Sequence, residues 1–334
     1  ILSDLDEGIE TLLRLTDRII EKMSISGNTT MIHLLMGYSC EGLGEYPFTP
    51  VTIDPIETTY RSLFGKDRYE FPIYIFPEIS AYIGGDIVAG LLTCGLPKTE
   101  NISMLIDLGT NGEMAIGCKH KILVASAAAG PAFEGGNIVC GTGSIEGAIS
   151  NVVYADGRFQ IQTIGNREPK GICGTGVIAI TYELLRNAFM DETGLLRETD
   201  FKEGILLAGT EEREIRFYQK DIREMQLAKS AIRAGVETLL YEYGVTAQEV
   251  DTIYIAGGFG YRIEADQAIG IGILPAEFRD KIKVVGNSAL KGSMFHLIEK
   301  ISKEEIRRIC DMSEEIQLAQ SKVFNDFYMK HMFF

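Results

Sequence analysis

The chain has 334 residues, 46% of them hydrophobic and 24% charged, with a net charge of −15. That composition is globular, and the length allows two lobes. So acidic a chain is a poor match for nucleic acid or an anionic membrane surface, both of which attract basic patches.

Residues 4–23 read as an amphipathic helix, with Ile9, Leu12, Leu13, Ile19, Ile20 and Met23 at helical spacing. Residues 24–30 read as the end of a short strand running into a Gly27-Asn28-Thr29 turn, with a short helix over 31–36. A turn at the carboxyl end of a strand is where α/β folds bind ligands. The plainer reading is a helix N-cap by Thr29 or Thr30. Residues 40–70, punctuated by Pro47, Pro50 and Pro55, read as irregular. Residues 73–76, enclosed by Pro72 and Pro77, make a short strand. Gly84-Gly85-Asp86 then opens an apolar helix to about Leu92, closed by Gly95 and Pro97. Asp86 is either a helix-dipole partner or a polar group for a cleft.

The clearest chemistry lies in residues 102–118. Residues 104–108 and 114–116 are short apolar runs of the kind that form buried strands. Between them stand Gly109, Thr110, Asn111 and Gly112. Asn-Gly is a strong hairpin signal because both residues tolerate a positive φ, so two antiparallel strands with a tight turn are expected. Asp107 sits near the end of the first strand, between Ile106 and Leu108. Such a turn leaves backbone N–H groups facing an anion, and a carboxylate beside it can hold the water shell of Mg²⁺. A phosphate-binding hairpin is one reading. An ordinary hairpin whose Asp107 bonds the turn is the other.

Residues 121–127 give a third strand, and three meandering strands followed by helix–strand alternation open an RNase-H-like unit. Residues 126–147 are small and glycine-dense, suited equally to lining a cleft or to packing. Residues 152–154 and 159–164 form a hairpin around Asp156-Gly157. Gly171-Ile172-Cys173-Gly174-Thr175-Gly176 leads into a helix to about residue 190. Its N–H groups could face an anion, or its glycines could pack helix on sheet. Cys173 reads as a buried thiol. The longest helix covers 221–243, with Ile222, Met225, Ile232 and Val236 on its apolar face and Asp221 with Glu224 as a capping pair.

Residues 252–256 form a buried strand running into Gly257-Gly258-Phe259-Gly260. Glycines after a strand let a flat base lie against the backbone, because no Cβ intrudes; a tight turn is the plainer alternative. A last strand is expected over 282–285 and a helix over 288–300. The tail, 313–334, is polar with several aromatics and should pack back on a lobe. The six cysteines form no Cys-x-x-Cys pair and match no zinc or iron–sulfur ligand spacing. They point to a reducing, cytoplasmic setting, and no apolar run approaches the length of a membrane span.

Asp-Leu-Gly-Thr-Asn-Gly-Glu at 107–113 and Ile-Ala-Gly-Gly-Phe-Gly at 255–260 together resemble a phosphate motif and the adenosine motif of the acetate kinase/sugar kinase/heat-shock chaperone/actin superfamily. Gly-Asn-Thr-Thr-Met at 27–31, Gly-Gly-Asp-Ile-Val-Ala-Gly at 84–90 and Ala-Ala-Gly-Pro-Ala-Phe-Glu-Gly at 128–135 are similar to one branch, the reductive activators of corrinoid proteins. So are Gly-Ile-Cys-Gly-Thr-Gly at 171–176, Gln-Leu-Ala-Lys-Ser-Ala-Ile-Arg-Ala-Gly at 226–235 and the segment 253–293. The resemblance spans nearly the whole chain.

It implies an α/β, two-lobed actin-like ATPase fold of RNase-H-like lobes, with the nucleotide in the cleft between them. Residues 1–100 would be part of a first lobe, 101–312 a second lobe with insertions, and 313–334 the tail. The superfamily's first phosphate hairpin does not precede residues 4–23, and the chain opens with Ile1 rather than Met. The first lobe is therefore expected to be incomplete at its N-terminus. The implied activity is ATP-dependent reduction of a corrinoid partner from Co(II) to Co(I). ATP and Mg²⁺ are the implied cofactors, and an iron–sulfur cluster is expected only outside this chain. Asp107 is implied as the catalytic and Mg²⁺-holding residue. Gly109, Thr110, Asn111 and Gly112 would meet the β/γ-phosphates, and Gly257, Gly258 and Phe259 the adenosine. Asp86 and Glu113 are further polar candidates. The implied partner is a corrinoid protein, with no nucleic acid and no membrane; a homodimer is left open and no electron donor is named. A small-molecule kinase of the same superfamily and a docking module that no longer turns over ATP are the rival functions.

Overall fold

The computed structural model of the chain describes residues 1–16, 18–209, 214–257, 263–298 and 301–334. They divide into two compact units: Ile1–Glu100 with Gly117–Val124 and Asn287–Glu315, and Asn101–Ile116 with Ala125–Gly286 and Ile316–Phe334.

In the first unit the opening helix is Leu2–Arg14, well short of residue 23. Met23–Ile25 is strand β1 instead, because Met23 pairs with Ile73 in a parallel ladder. Ladder pairing overrides a local helical period here. Strand β2 (Ile56–Thr59) runs antiparallel to β3 (Pro72–Ile75), giving the order β1-β3-β2. The stretch expected to be irregular thus holds β2 and two short helices, Glu41–Gly44 and Tyr60–Phe64. Ile9, Ile32, Leu35, Tyr60, Phe71 and Ile75 form the core of this unit. The Tyr60 hydroxyl donates to Asp6 Oδ1 at 2.5 Å and Lys66 pairs with the other oxygen, tying the first helix to the core.

The helix Thr29–Met36 is capped by Asn28, whose side chain accepts from the Met31 N–H at 2.8 Å. The cap is therefore Asn28 rather than Thr29 or Thr30. The helix Gly85–Cys94 meets the helix Ser288–Ile298 so closely that a Cβ on Gly292 would lie 2.1 Å from the Ala89 carbonyl oxygen. Only glycine permits that approach. A further helix, Lys303–Asp311, begins at a Ser302/Glu305 capping box.

The second unit is built on β4 (Ser103–Leu108), β5 (Gly112–Gly117) and the end of β6 (Ile122–Ala127). A smaller sheet has the order β8-β7-β9, from β7 (Ala148–Ala155), β8 (Arg158–Thr163) and β9 (Gly171–Ile172). Asp156 and Gly157 turn the β7–β8 hairpin with φ of 53° and 75°. The helix Gly174–Arg186 packs on β7, and a Cβ on Gly176 would sit 2.2 Å from the Ile149 carbonyl oxygen. Gly176 is thus set by packing, and Cys173 is a buried thiol that donates to that same oxygen at 3.3 Å. Strands β10 (Ile205–Gly209) and β11 (Glu214–Phe217) form a separate hairpin.

Strand β12 (Thr252–Ala256) pairs in parallel with β4 on one side and β13 (Ile282–Gly286) on the other. In the first unit β14 (Ser313–Glu315) pairs in parallel with the start of β6. The helix Gln219–Tyr243 buries Ile222, Met225, Ile232 and Val236. The tail folds onto it through the helix Lys322–Lys330. Beyond that helix, the carbonyls of His331, Met332 and Phe333 accept from Ser230, Gln226 and Lys229. Among the described residues no helix is long and apolar enough to cross a membrane.

Candidate functional site

The site begins with the register of one strand pair. Ala256 lies opposite Asp107 in the parallel β12–β4 ladder. Gly257, the next residue, therefore stands beside the end of β4. A Cβ on Gly257 would lie 2.4 Å from the Leu108 carbonyl oxygen and 2.9 Å from Asp107 Oδ1, and its φ is 102°. Both facts require glycine. The Gly257 N–H donates to the Gly286 carbonyl at 3.2 Å, which ties it to the end of β13 as well. Two motifs about 150 residues apart in sequence thus meet at the carboxyl ends of parallel strands, where α/β sheets bind ligands. Gly258 and Phe259 lie outside the described residues.

Asp107 is half-buried between fully buried Ile106 and Leu108. The turn comprises residues 109–111, with the Gly109 N–H donating to the Asn111 carbonyl at 3.1 Å. The expected left-handed Asn-Gly turn is not found: neither Asn111 nor Gly112 has a positive φ. Gly112 already belongs to β5, and a Cβ there would lie 2.0 Å from Ile232 Cδ1. Its glycine is set by packing against the long helix. Thr110 is exposed, and its hydroxyl donates to Glu134 Oε2 at 2.7 Å.

Sequence reasoning passed over Glu134. It ends the short helical turn Pro131–Glu134, bracketed by Gly130 and Gly135 with φ of 76° and 79°. A Cβ on Gly141 would lie 1.9 Å from the Gly135 carbonyl oxygen, so the loop folds tightly on itself. The usable signal was its charge, alone in an Ala-Ala-Gly-Pro-Ala-Phe-Glu-Gly run. The loop is anchored by Asp221, fully buried, which accepts from the N–H groups of Val139 at 2.8 Å and Tyr218 at 2.9 Å. Burial pushes the Asp221 carboxyl up, and the two backbone donors pull it back. Glu224, expected as its capping partner, instead accepts from Asn137 at 3.3 Å.

These residues suit a magnesium–nucleotide. Mg²⁺ takes one or two carboxylates and fills its remaining positions with water and phosphate oxygens. Asp107 offers a carboxylate beside a gap no side chain can enter, and the turn offers a hydroxyl and a second carboxylate at Glu134. Among the described residues no group of three or more His, Cys, Asp or Glu could hold a metal unaided. A metal arriving with its phosphates fits that donor set better than a resident ion.

Glu113 is half-buried in β5. In the first unit Asp86 bonds the Ile87 N–H at 2.9 Å, within its own helix start, and burial pushes its carboxyl up. Glu78 lies near it, only 3% exposed, with neither carboxylate oxygen hydrogen-bonded among the described residues. Burial pushes its pKa up to about 7; the nearby Thr29 hydroxyl opposes this and the Asp86 charge adds to it. No sequence pattern marked Glu78.

Residues 101–334 match a family model described as the C-terminal domain of RACo, the ASKHA domain, and residues 1–99 match the RACo middle region. The chain is 31% identical, over 98% of its length, to "Corrinoid activation enzyme RamQ" of Eubacterium limosum. It is 27% identical, over 93% of its length, to "[Co(II) methylated amine-specific corrinoid protein] reductase" of Methanosarcina barkeri. A solved structure titled "Reductive activator for corrinoid,iron-sulfur protein" superposes with a TM-score of 0.90 at 32% identity, covering 100% of this chain. The chain spans 60% and 62% of the two curated relatives and 56% of the solved chain. With its full length divided between two RACo models, this chain belongs to the RACo family, and residues 101–334 carry that family's ASKHA domain, an actin-like ATPase fold of the nucleotide-binding kind.

Proposed function

We propose that the chain is the nucleotide- and partner-binding core of an activator that uses Mg-ATP to return a corrinoid protein from Co(II) to Co(I). The supporting observation is the meeting of Asp107 and Gly257 at the β4–β12 ends, within a family whose named relatives act on corrinoid proteins. Asp107 would hold the hydrated magnesium. Gly109, Thr110, Asn111 and Gly112 would supply backbone N–H groups and a hydroxyl to the β/γ-phosphates. Gly257, Gly258 and Phe259 would receive the adenosine, with Gly257 keeping backbone rather than side chain on that side. Glu134 would orient the Thr110 hydroxyl, to which it is already bonded.

The bound nucleotide supplies free energy through hydrolysis of its terminal phosphate. Reduction to Co(I) is uphill, so the nucleotide must favour one state of the activator–corrinoid complex over another. The electrons come from an iron–sulfur centre outside these residues, and the setting is cytoplasmic, in keeping with six free cysteines.

The test is anaerobic spectroscopy of the Co(II)-to-Co(I) conversion. It uses the full-length activator, a corrinoid partner and a low-potential reductant, with and without Mg-ATP. ATP-dependent formation of Co(I), lost in Asp107→Ala, is expected. Reduction that proceeds equally without ATP would overturn the reading, as would phosphate transfer to a small acid or sugar at a rate that exceeds it.

A further inference from the structure

The first unit contains a cavity of about 390 Å³, lined by Met23, Pro72, Ile73, Tyr74, His296 and Leu297, with Lys22, Glu57 and Lys303 also on its wall. It lies at the amino ends of β1 and β3, the opposite end from the Gly27–Asn28 turn and Glu78. Its volume falls in the range of small-molecule sites, which are mainly apolar with a few convergent polar groups.

The polar groups have a definite character. His296 and Tyr74 face each other with ring centroids 4.6 Å apart, forming an aromatic wall. His296 Nδ1 lies 2.9 Å from the Ile301 carbonyl, which can only accept, so Nδ1 carries the ring proton. Burial and the neighbouring Lys22 and Lys303 charges hold the ring below its usual pKa, hence neutral at pH 7. The Tyr74 hydroxyl is buried and has no hydrogen-bond partner among the described residues. Such a group is costly to leave unpaired, which points to a ligand or water that completes it.

Two ammonium groups are held at the same wall. Lys22 donates to the Leu297 carbonyl at 2.7 Å. Lys303 pairs with Glu57 at 2.6 Å and stands 5.8 Å over the Tyr74 ring. Each ammonium has three N–H donors, and one hydrogen bond apiece leaves the others for a ligand. With Glu57 counted and His296 neutral, the wall carries an excess positive charge in a chain of net charge −15. An anion is drawn to this spot more than to the acidic surface elsewhere.

We propose that this cavity is a second binding site, for a small carboxylate, sulfonate or phosphate borne on a flat apolar body. The flat body lies along the Tyr74–His296 wall and the Met23, Ile73 and Leu297 side chains. The anion is held by Lys22 and Lys303, and the Tyr74 hydroxyl completes its acceptors. The site is independent of the nucleotide reading, because every residue it uses belongs to the first unit.

The test uses two fluorescent probes of the same shape on the full-length protein: 8-anilinonaphthalene-1-sulfonate, an anion, and N-phenyl-1-naphthylamine, its uncharged counterpart. Saturable binding of the anionic probe is expected, weakened roughly tenfold in Lys22→Glu and in Lys303→Glu, as loss of one charge-assisted contact implies. The neutral probe should bind these variants as it binds the unaltered protein. Thr58→Trp, which places bulk in the cavity wall, should lower affinity for both. Both lysines are exposed and leave the core untouched, and circular dichroism checks that each variant folds. Anionic-probe affinity unchanged in both lysine variants, or lost in step with the neutral probe, overturns the proposal.

Discussion

Glu78→Gln isolates a single buried charge. Glu78 is 3% exposed and neither of its oxygens is hydrogen-bonded among the described residues. The hydroxyl nearest it, on Thr29, donates to the Ser80 carbonyl at 3.0 Å. Burial raises its pKa from 4.5 to about 7. Each unit corresponds to ~1.4 kcal/mol, so ionising Glu78 costs up to about 3 kcal/mol more in the folded chain than in the unfolded one. The folded value is the higher, so the contribution is fully present below pH 4.5 and lost as the pH rises to about 7. Gln cannot ionise, and its amide needs partners worth ~1 kcal/mol. The variant should therefore be more stable than the unaltered chain by about 2 kcal/mol at pH 8 and no more stable at pH 4. The chain has no tryptophan, so urea unfolding is best followed by circular dichroism from pH 4 to 8. Equal pH dependence in the two proteins would refute the reasoning.

At the β4–β12 junction, Asp107→Ala in the full-length protein should abolish magnesium-dependent ATP turnover while leaving the circular dichroism spectrum unchanged; turnover at the unaltered rate would remove Asp107 from the mechanism. Gly257→Ala places a Cβ 2.4 Å from the Leu108 carbonyl oxygen at a φ of 102°. It should cost about 2–4 kcal/mol, read as a lowered Tm, and weaken Mg-ATP binding. Thr110→Val removes an exposed hydroxyl bonded to Glu134, so stability should move by less than about 0.5 kcal/mol. Affinity for Mg-ATP, measured by calorimetry, should nevertheless fall roughly tenfold. Asp221→Ala strips the N–H groups of Val139 and Tyr218 of their buried acceptor and should destabilise by about 2–4 kcal/mol in urea unfolding. A change under about 0.5 kcal/mol would show that water replaces the carboxylate.

The α/β class and the actin-like fold were legible because motifs and periodicity agreed over long stretches. Strand β12 falls on residues 252–256 as read, since a run of apolar and β-branched residues closed by glycines admits few alternatives. Glycines were easy to find and hard to assign. Gly112 looked like a turn residue, but Ile232, far along the sequence, decides it. Gly176 looked equally suited to an anion and to packing until Ile149 was seen against it. The helix at residue 2 ended early because Met23 found Ile73, a pairing no local period contains. Helix Lys303–Asp311 did carry a readable signal, the Ser302/Glu305 capping box. Glu78 and Glu134 carried almost none: burial and a partner in another loop give them their character, and both arise only on folding.

The most direct test of the nucleotide site is calorimetric titration of Mg-ATP into the full-length protein, unaltered and with Asp107→Ala. One saturable site in the unaltered protein, weakened at least a hundredfold by the substitution, is the predicted result. Heat of binding that is absent from the unaltered protein, or identical in the two, would contradict it.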